Sequence, residues 1–275
     1  MSTLQEHSST NKDKELKAFV SLLQDSEDKT LNLLADQISN FDFTALKQID
    51  KIARQSNNEE LIDNWFYVSR KNLRKELEAW RQDPELELGL LLLSKLKTPA
   101  LDIQHYRTVL DEYAKRVSDK ITTESSSLDI IHALNYVLFH EENYVGNQIS
   151  YYDLSNNFLN TVIEGKTGNP IMLSSIYILV ARRLGLEIES IGTPGHFIVK
   201  FDGMLIDPFF QGREVTKDEC IIRAQELSVF WRDEYLDPID DSMVLGRCIR
   251  NLIAIYKKLN DLESAADASD FLKLL

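Results

Sequence analysis

Apolar residues recur at helical spacing along the first half of the chain, with polar residues between them. Positions three and four residues apart share one face of a helix, so this spacing predicts amphipathic helices. The segment 85–96 is apolar on most sides and predicts a buried helix, and Ser126 or Ser127 is placed to cap a helix over 128–139. The clearest amphipathic sets are Leu16, Phe19, Val20 and Leu23, and Leu61, Trp65 and Val68.

The pattern changes between residues 165 and 212, where glycine and proline are concentrated. Only 10 Gly and 6 Pro occur among 275 residues, which predicts long helices elsewhere. Seven of these glycines and three of these prolines lie in this window. Because glycine allows backbone angles that other residues avoid, and because functional groups often lie on loops, any chemistry is expected here.

A helix with signals at both ends is predicted over residues 169–184. Asn169 can cap its N-terminus, Pro170 suits the first helical position, and Gly185 can end it. Its body is almost entirely apolar. The sequence therefore predicts that this helix is central to the fold.

Three β-rich runs follow this helix, at about residues 187–191, 197–201 and 204–206. Asp202-Gly203, between the last two runs, is a strong signal for a two-residue hairpin turn. The turn fixes the register of the two strands. The predicted facing pairs are Phe201 with Met204, Val199 with Ile206, and Ile198 with Asp207.

This register brings a histidine and a carboxylate to the same face of the sheet. Since side chains alternate along a strand, His196, Ile198, Leu205 and Asp207 are predicted to point to one side. His196 and Asp207 would then lie diagonally across two strands, about 7–8 Å apart at the backbone. A carboxylate at that spacing can orient an imidazole for nucleophilic catalysis, and a helix N-terminus nearby can lower the pKa of a thiol.

This arrangement resembles the core of the transglutaminase-like superfamily, the papain-like cysteine enzymes. From about Leu88 onward, the segments NFLNTVIEGKTGNPIMLS, ARRLGL, GTPGHFIVKF and LIDPFFQG more closely resemble the transglutaminase-like branch of the bacterial SirB proteins. The resemblance implies a divergent transglutaminase-like domain followed by tetratricopeptide-like helices. It implies no particular substrate, because that family has no settled biochemical role.

The chain departs from the enzymes of the superfamily at the nucleophile. Those enzymes carry a cysteine near the start of the core helix, and the equivalent position here is Pro170. The predicted helix contains no cysteine, while Cys220 and Cys248 follow the histidine and aspartate in the chain and are expected to be buried and unreactive. Because proline offers no nucleophile, the thiol mechanism is expected to be lost.

Other residues could still contribute chemistry. Ser174, one turn into the helix, could replace the thiol, or its hydroxyl could bond to a carbonyl one turn earlier. The resemblance makes Asn157 a candidate for an oxyanion hole, and its alternative role is that of a loop or cap residue. His196, Asp207 and His140 are suitable metal donors, but no spacing typical of a metal site joins them, so neither a metal nor a cofactor is predicted.

Charge and composition disfavour several classes of function and location. Lys+Arg number 31 and Asp+Glu 44, so the formal net charge is −13, which disfavours nucleic acid binding. No apolar run approaches the roughly 20 residues that span a bilayer. The polar start lacks the apolar core of a secretory signal, and two cysteines make no disulfide framework. A cytoplasmic location is therefore expected.

The predicted fold class is α+β, mainly helical, with one central helix packed on a small antiparallel sheet. Residues 242–275 predict two helices joined near Asn260-Asp261, which resemble a single tetratricopeptide unit. The predicted organisation is a disordered tail at 1–12, a helical region at 13–125, a transglutaminase-like core at 126–240, and the helical pair at 241–275.

Loss of the nucleophile with retention of His196 and Asp207 predicts a catalytically inactive member of the superfamily. We expect it to bind a protein or peptide partner and to act as a regulatory module. The alternative hypothesis is a hydrolase or acyl transferase in which this dyad works with a non-cysteine nucleophile or with water.

Overall fold

The computed structural model describes residues 14–24 and 27–275, and it contains two compact units. One unit runs up to Ala79 and includes Leu92–Asp102, and the other comprises Trp80–Leu91 and Ile103–Leu275. The fold class is α+β, mainly helical with small sheets, as predicted. The predicted tail at 1–12 lies outside the described residues, and the domain bounds drawn from the sequence stay predictions.

The first unit is a helical bundle with its own apolar core. The spacing seen in the sequence is confirmed, because Leu16, Phe19 and Leu23 are all buried in that core. Trp65 is fully buried, and its indole N–H donates to Asp50 Oδ1 at 2.8 Å. Its helices are α1 (14–24), α2 (Asp28–Gln37), α3 (Phe43–Gln55) and most of α4 (Glu59–Trp80).

The second unit contains the remaining helices and both sheets. Its helices are α5 (Leu86–Ser94), which begins in it, α6 (Ile103–Ser118), α7 (Ser127–Asn135), α8 (Leu159–Gly165), α9 (Pro170–Arg183), α10 (Lys217–Glu226), α11 (Asp241–Lys258) and α12 (Leu262–Leu272). Ser126 caps α7 through a capping box with Asp129, as predicted, and a π-helix at Tyr136–Glu141 continues it. Among residues 14–24 and 27–275, no helix combines the length and apolar character needed to cross a lipid bilayer.

The larger sheet is antiparallel, and its hairpin has the predicted register. Val199 pairs with Ile206 and Phe201 with Met204. Asp202 and Gly203 both have positive φ, at 48° and 80°, as a type I′ turn requires. The strands are β3 (Glu189–Ile191), β4 (Ile198–Phe201), β5 (Met204–Asp207) and β6 (Arg213–Glu214) in that order, and a separate parallel pair joins β1 (Val145–Gly146) to β2 (Thr167–Gly168).

The central helix α9 packs against this sheet and against the neighbouring helices. It contacts β3, β4 and the 3₁₀ turn Pro208–Phe210, which follows β5 directly. The helices α11 and α12 are joined at Asn260-Asp261, as predicted, and α11 also packs against α9. The C-terminal pair therefore docks on the same unit that contains the sheet.

Replacement of Gly203 tests the hairpin. Gly203→Ala should lower the free energy of unfolding by roughly 1–2 kcal/mol, because an alanine side chain is strained at positive φ. Gly165→Ala is the matched control, since no atom lies within 4 Å of the added methyl at the end of α8. Urea denaturation measures both variants, and an equal loss of stability in the two would contradict this role of the turn.

Candidate functional site

The start of α9 is held in place by a pair of asparagines. Asn169 caps the helix as predicted, because its Oδ1 accepts the Met172 backbone N–H at 2.9 Å. The same side chain donates through Nδ2 to Asn157 Oδ1 at 2.7 Å. Pro170 occupies the first turn of the helix and is buried. Pro170, which the sequence predicts to be equivalent to the superfamily nucleophile, therefore lies buried at a capped helix end.

Asn157 contributes to this helix end and also binds its own loop. It ends the 3₁₀ turn Leu154–Asn157, and its Nδ2 donates to the carbonyls of Asp153 at 3.3 Å and Leu154 at 3.4 Å. Its amide thus serves the loop and the cap, which favours that interpretation. An oxyanion-hole role for Asn157 stays a prediction.

His196 and Asp207 form a buried pair. His196 Nε2 lies 2.8 Å from Asp207 Oδ2, and the two side chains are 6% and 0% exposed. The other carboxylate oxygen, Oδ1, accepts the Phe209 backbone N–H at 3.1 Å. No hydrogen bond to His196 Nδ1 occurs in the described part of the chain. The carboxylate therefore orients the ring so that Nδ1 is the nitrogen left for a further ligand.

Aromatic rings surround the imidazole. The ring of His196 lies 5.9 Å from that of Phe209 and 6.2 Å from that of Phe210, measured between centroids. Tyr151 in turn contacts Phe209 at 6.2 Å. The sequence pattern predicts no site role for the two phenylalanines, although their position directly after Asp207-Pro208 is a usable signal.

Arg247, on α11, holds the loop that carries His196. Its guanidinium donates to the carbonyls of Gly192, Thr193 and His196, each at 3.0 Å. Gly192 makes this approach possible, because a Cβ there would lie 2.7 Å from Arg247 Nη1. Burial of the guanidinium lowers the pKa of Arg247. Arg247 is not predicted from the sequence, where its only signal is a charged side chain inside the apolar run VLGRCI.

Ser174 is fully buried and faces the segment that carries His196. The expectation that its hydroxyl bonds to a carbonyl one turn earlier is wrong: the hydroxyl donates to the Phe197 carbonyl at 3.3 Å. The reason is that α9 packs directly on β4, which places this carbonyl within reach. The hydroxyl links the helix to the histidine segment, and a nucleophilic role for Ser174 stays a prediction.

Both cysteines are free thiols in buried positions. Burial raises the pKa of Cys248 to about 12. Burial also raises the pKa of Cys220, and the negative charge of Asp207 raises it further. A catalytic thiol needs the opposite environment, one that stabilises the thiolate.

A metal site needs several donor side chains close together. Within 14–24 and 27–275, no three His, Cys, Asp or Glu side chains come together in a way that could hold a metal ion. The pair of His196 and Asp207 thus provides two of the ligands that such a site needs, with no third among these residues.

Comparison with known proteins gives both a family and individual relatives. The model of the Transglutaminase-like superfamily matches residues 104–250, just over half of the chain. A UPF0162 protein from Xylella fastidiosa (strain 9a5c) is 35% identical over 196 residues, which cover 67% of this chain and 70% of the relative. The UPF0162 protein of Vibrio cholerae is 21% identical over 171 residues, which cover 59% and 63%.

A further relative is much longer than this chain. F-box only protein 21 from Homo sapiens is 29% identical over 233 residues, which cover 70% of this chain and 36% of that protein. The related segment is thus one part of a larger protein there. No solved structure gives a significant match.

The environment of the two cysteines predicts slow alkylation of the folded protein. At about pH 8, a thiol with the pKa of Cys248 carries on the order of a thousandfold less thiolate than an ordinary cysteine. Iodoacetamide labelling followed by mass spectrometry should leave both cysteines unmodified in native protein, with the rate for Cys248 rising as the pH approaches 12. The same protein in urea is the control and should be labelled at both. Rapid labelling of native Cys220 would contradict this picture.

Proposed function

This chain belongs to the transglutaminase-like superfamily, and we propose that it is a member that has lost thiol catalysis and acts as a protein-binding or regulatory module. The observation that carries the proposal is Pro170 at the first position of α9. Proline has neither a nucleophile nor an N–H, and α9 contains no cysteine. The two thiols elsewhere are buried in environments that favour the protonated form.

Within the superfamily, we propose that the chain belongs to the SirB branch and works in the bacterial cytoplasm. The motifs GTPGHFIVKF and LIDPFFQG support the branch, since they contain His196 and Asp207. The proposed organisation keeps the predicted bounds, with the core at 126–240 and the tetratricopeptide-like pair at 241–275. The two helices α11 and α12 support the pair.

The partner surface proposed here lies beside the buried dyad. We call it the Tyr–Leu surface and define it as Tyr151, Tyr152, Leu227 and Phe230. Tyr152, Leu227 and Phe230 are 58%, 52% and 88% exposed. Two of the four residues contact the site itself. Tyr151 contacts Phe209, and Leu227 packs so closely on Gly195 that a Cβ added to Gly195 would lie 2.2 Å from Leu227 Cδ1. An exposed apolar group of this kind is typical of an interaction site.

Charge indicates which partner fits this surface. Lys258 Nζ lies 3.6 Å from the centre of the Tyr152 ring, and the Arg223 guanidinium lies 5.7 Å from that of Phe210. These cations stand beside apolar groups in a chain whose formal net charge is −13. We therefore propose a peptide segment of a partner protein in which apolar side chains alternate with acidic ones, because such a segment would match both features.

The alternative function is a hydrolase or acyl transferase that uses the dyad with water or a non-cysteine nucleophile. One observation favours it: Asp207 is itself oriented by the Phe209 N–H, so the ring of His196 is held as a general base requires. The same bonds also satisfy two buried polar groups, which is a sufficient structural reason for the pair.

Introduction of a thiol tests the inactive state. Pro170→Cys should create a cysteine that is ionised near neutral pH, because the helix N-terminus and His196 would both stabilise its thiolate. Its thiol pKa, from the ultraviolet absorbance of the thiolate against pH, needs no access for a reagent; it should lie below the usual value of about 8.5 and rise in the double variant with His196→Ala. Ser174→Cys, one turn further along α9, is the matched control: it is buried like residue 170 but lies away from the helix N-terminus, so its thiol should stay protonated.

Two outcomes would count against the proposal. If unmodified protein hydrolyses activated esters or amides and loses this activity in His196→Ala, the alternative enzyme function is supported instead. If the introduced thiol at residue 170 has an ordinary pKa that does not respond to His196→Ala, this position is not equivalent to the nucleophile.

Peptide selection tests the Tyr–Leu surface. Peptides selected from a displayed random library should combine apolar and acidic residues, and Leu227→Lys should weaken their binding by about ten-fold or more through loss of an apolar contact. Leu128→Lys on α7 is the matched control, since Leu128 is 50% exposed and Leu227 52%. Calorimetry measures the affinities.

The same experiment separates other occupants of this surface. Selected peptides that bind wild type and Leu227→Lys equally well would contradict the assignment. Failure to enrich any peptide, together with self-association that is lost in Leu227→Lys, would assign the surface to a second copy of this chain instead.

A further inference from the structure

A cavity of about 440 Å³ opens along one face of α11, away from the residues that define the Tyr–Leu surface. Its size is within the range of small-molecule sites, which is roughly 300–1,000 Å³. Apolar and charged side chains line it. Met243, Ile239 and Leu272 are apolar, Arg247 and Arg250 are cationic, and Asp240 is acidic.

The two arginines give the lining of this cavity an excess of positive charge. Asp240 is the acidic side chain in that lining, and its Oδ1 already accepts the Met243 backbone N–H at 2.8 Å. Burial lowers the pKa of Arg247, and the charge of Arg250 lowers it further. The guanidinium of Arg247 donates its hydrogen bonds to three neutral carbonyls. Neither guanidinium forms an ion pair with a carboxylate in the part of the chain that the structure describes, whereas Arg182 and Arg183 do. Two like charges held close together favour an anion between or beside them.

Gly246 lines the cavity beside these two arginines. A Cβ at this position would lie 3.3 Å from Arg250 Nη1, so the side chain of Arg250 lies back across the helix, over the glycine. Arg250, with its guanidinium group, and Met243 both line the cavity. A carboxylate could accept two parallel N–H bonds from such a group, which is the geometry that guanidinium favours.

We infer that this cavity binds a carboxylate carried on an apolar body, with Arg250 and Arg247 facing the charge and Met243, Ile239 and Leu272 facing the apolar part. The inference is independent of the proposed function, since it does not use Pro170 or the Tyr–Leu surface. Such a carboxylate could come from a fatty-acid-like molecule or from the C-terminus of a peptide, and the chemistry recognised is the same.

Octanoate and its neutral analogue octanamide test this site directly. Octanoate should shift the methyl NMR signal of Met243 in the full chain, and octanamide should bind about ten-fold more weakly or not at all, because it lacks the charge. Arg250→Gln should weaken octanoate binding by about ten-fold. Lys257→Gln on the same helix removes the same charge outside the cavity lining and should leave the affinity unchanged.

A second variant tests whether the loss of octanoate binding comes from the cavity itself and not from a change in the fold. Met243→Glu places a carboxylate at the cavity wall, and it should abolish octanoate binding while the protein keeps its circular dichroism spectrum, since Met243 is 55% exposed. N-acetyl-leucyl-leucine with a free carboxylate, compared with its amide, distinguishes the peptide source: tighter binding than octanoate would assign the peptide C-terminus. Equal binding of octanoate and octanamide, or equal affinity in wild type and Arg250→Gln, would overturn the inference.

Discussion

The hydrogen bond between His196 and Asp207 imposes the strictest requirement on the second unit. A carboxylate with no exposed surface needs donors for its oxygens, and Asp207 has two: the imidazole on one oxygen and the Phe209 N–H on the other. Both donors depend on local backbone geometry. The Gly192–Gly195 loop positions the imidazole, and the 3₁₀ turn that follows β5 positions the Phe209 N–H. The hairpin register, the loop and the turn must therefore all be correct at once.

Arg247 connects this requirement to the C-terminal helices. By accepting hydrogen bonds from one guanidinium, the carbonyls of Gly192, Thr193 and His196 fix the loop to α11. The start of α11 is fixed too, because Asp241 forms a bidentate pair with Arg182 at the end of α9, at 2.7 Å for each contact. The helix α11 is thus bonded both to the central helix and to the histidine loop. The superfamily match, which ends at Arg250, includes this connection.

The features that the sequence predicted well are those decided within a few residues. Asp202-Gly203 determines the turn and hence the strand register, and Asn169 and Ser126 cap their helices through atoms three residues away. The features that it missed join distant segments. Arg247 is 51 residues from His196, and Ser174 bonds to a carbonyl 23 residues away instead of its own helix. No local pattern contains such pairs, since they exist only once α9, the sheet and α11 have packed.

The structural role of the dyad is separate from any catalytic role. Once Asp207 is buried, removal of His196 would leave an oxygen without its donor, so the pair stabilises the fold whether or not a thiol is present. Catalysis would require more: an accessible Nδ1 and a nucleophile beside it. At the helix end where the resemblance predicts that nucleophile, this chain has the buried Pro170, and Asn169 caps the helix while it also bonds to Asn157. A dyad that stabilises the core and a capped helix end without a nucleophile are consistent with each other, and together they are the structural basis of the proposed inactive state.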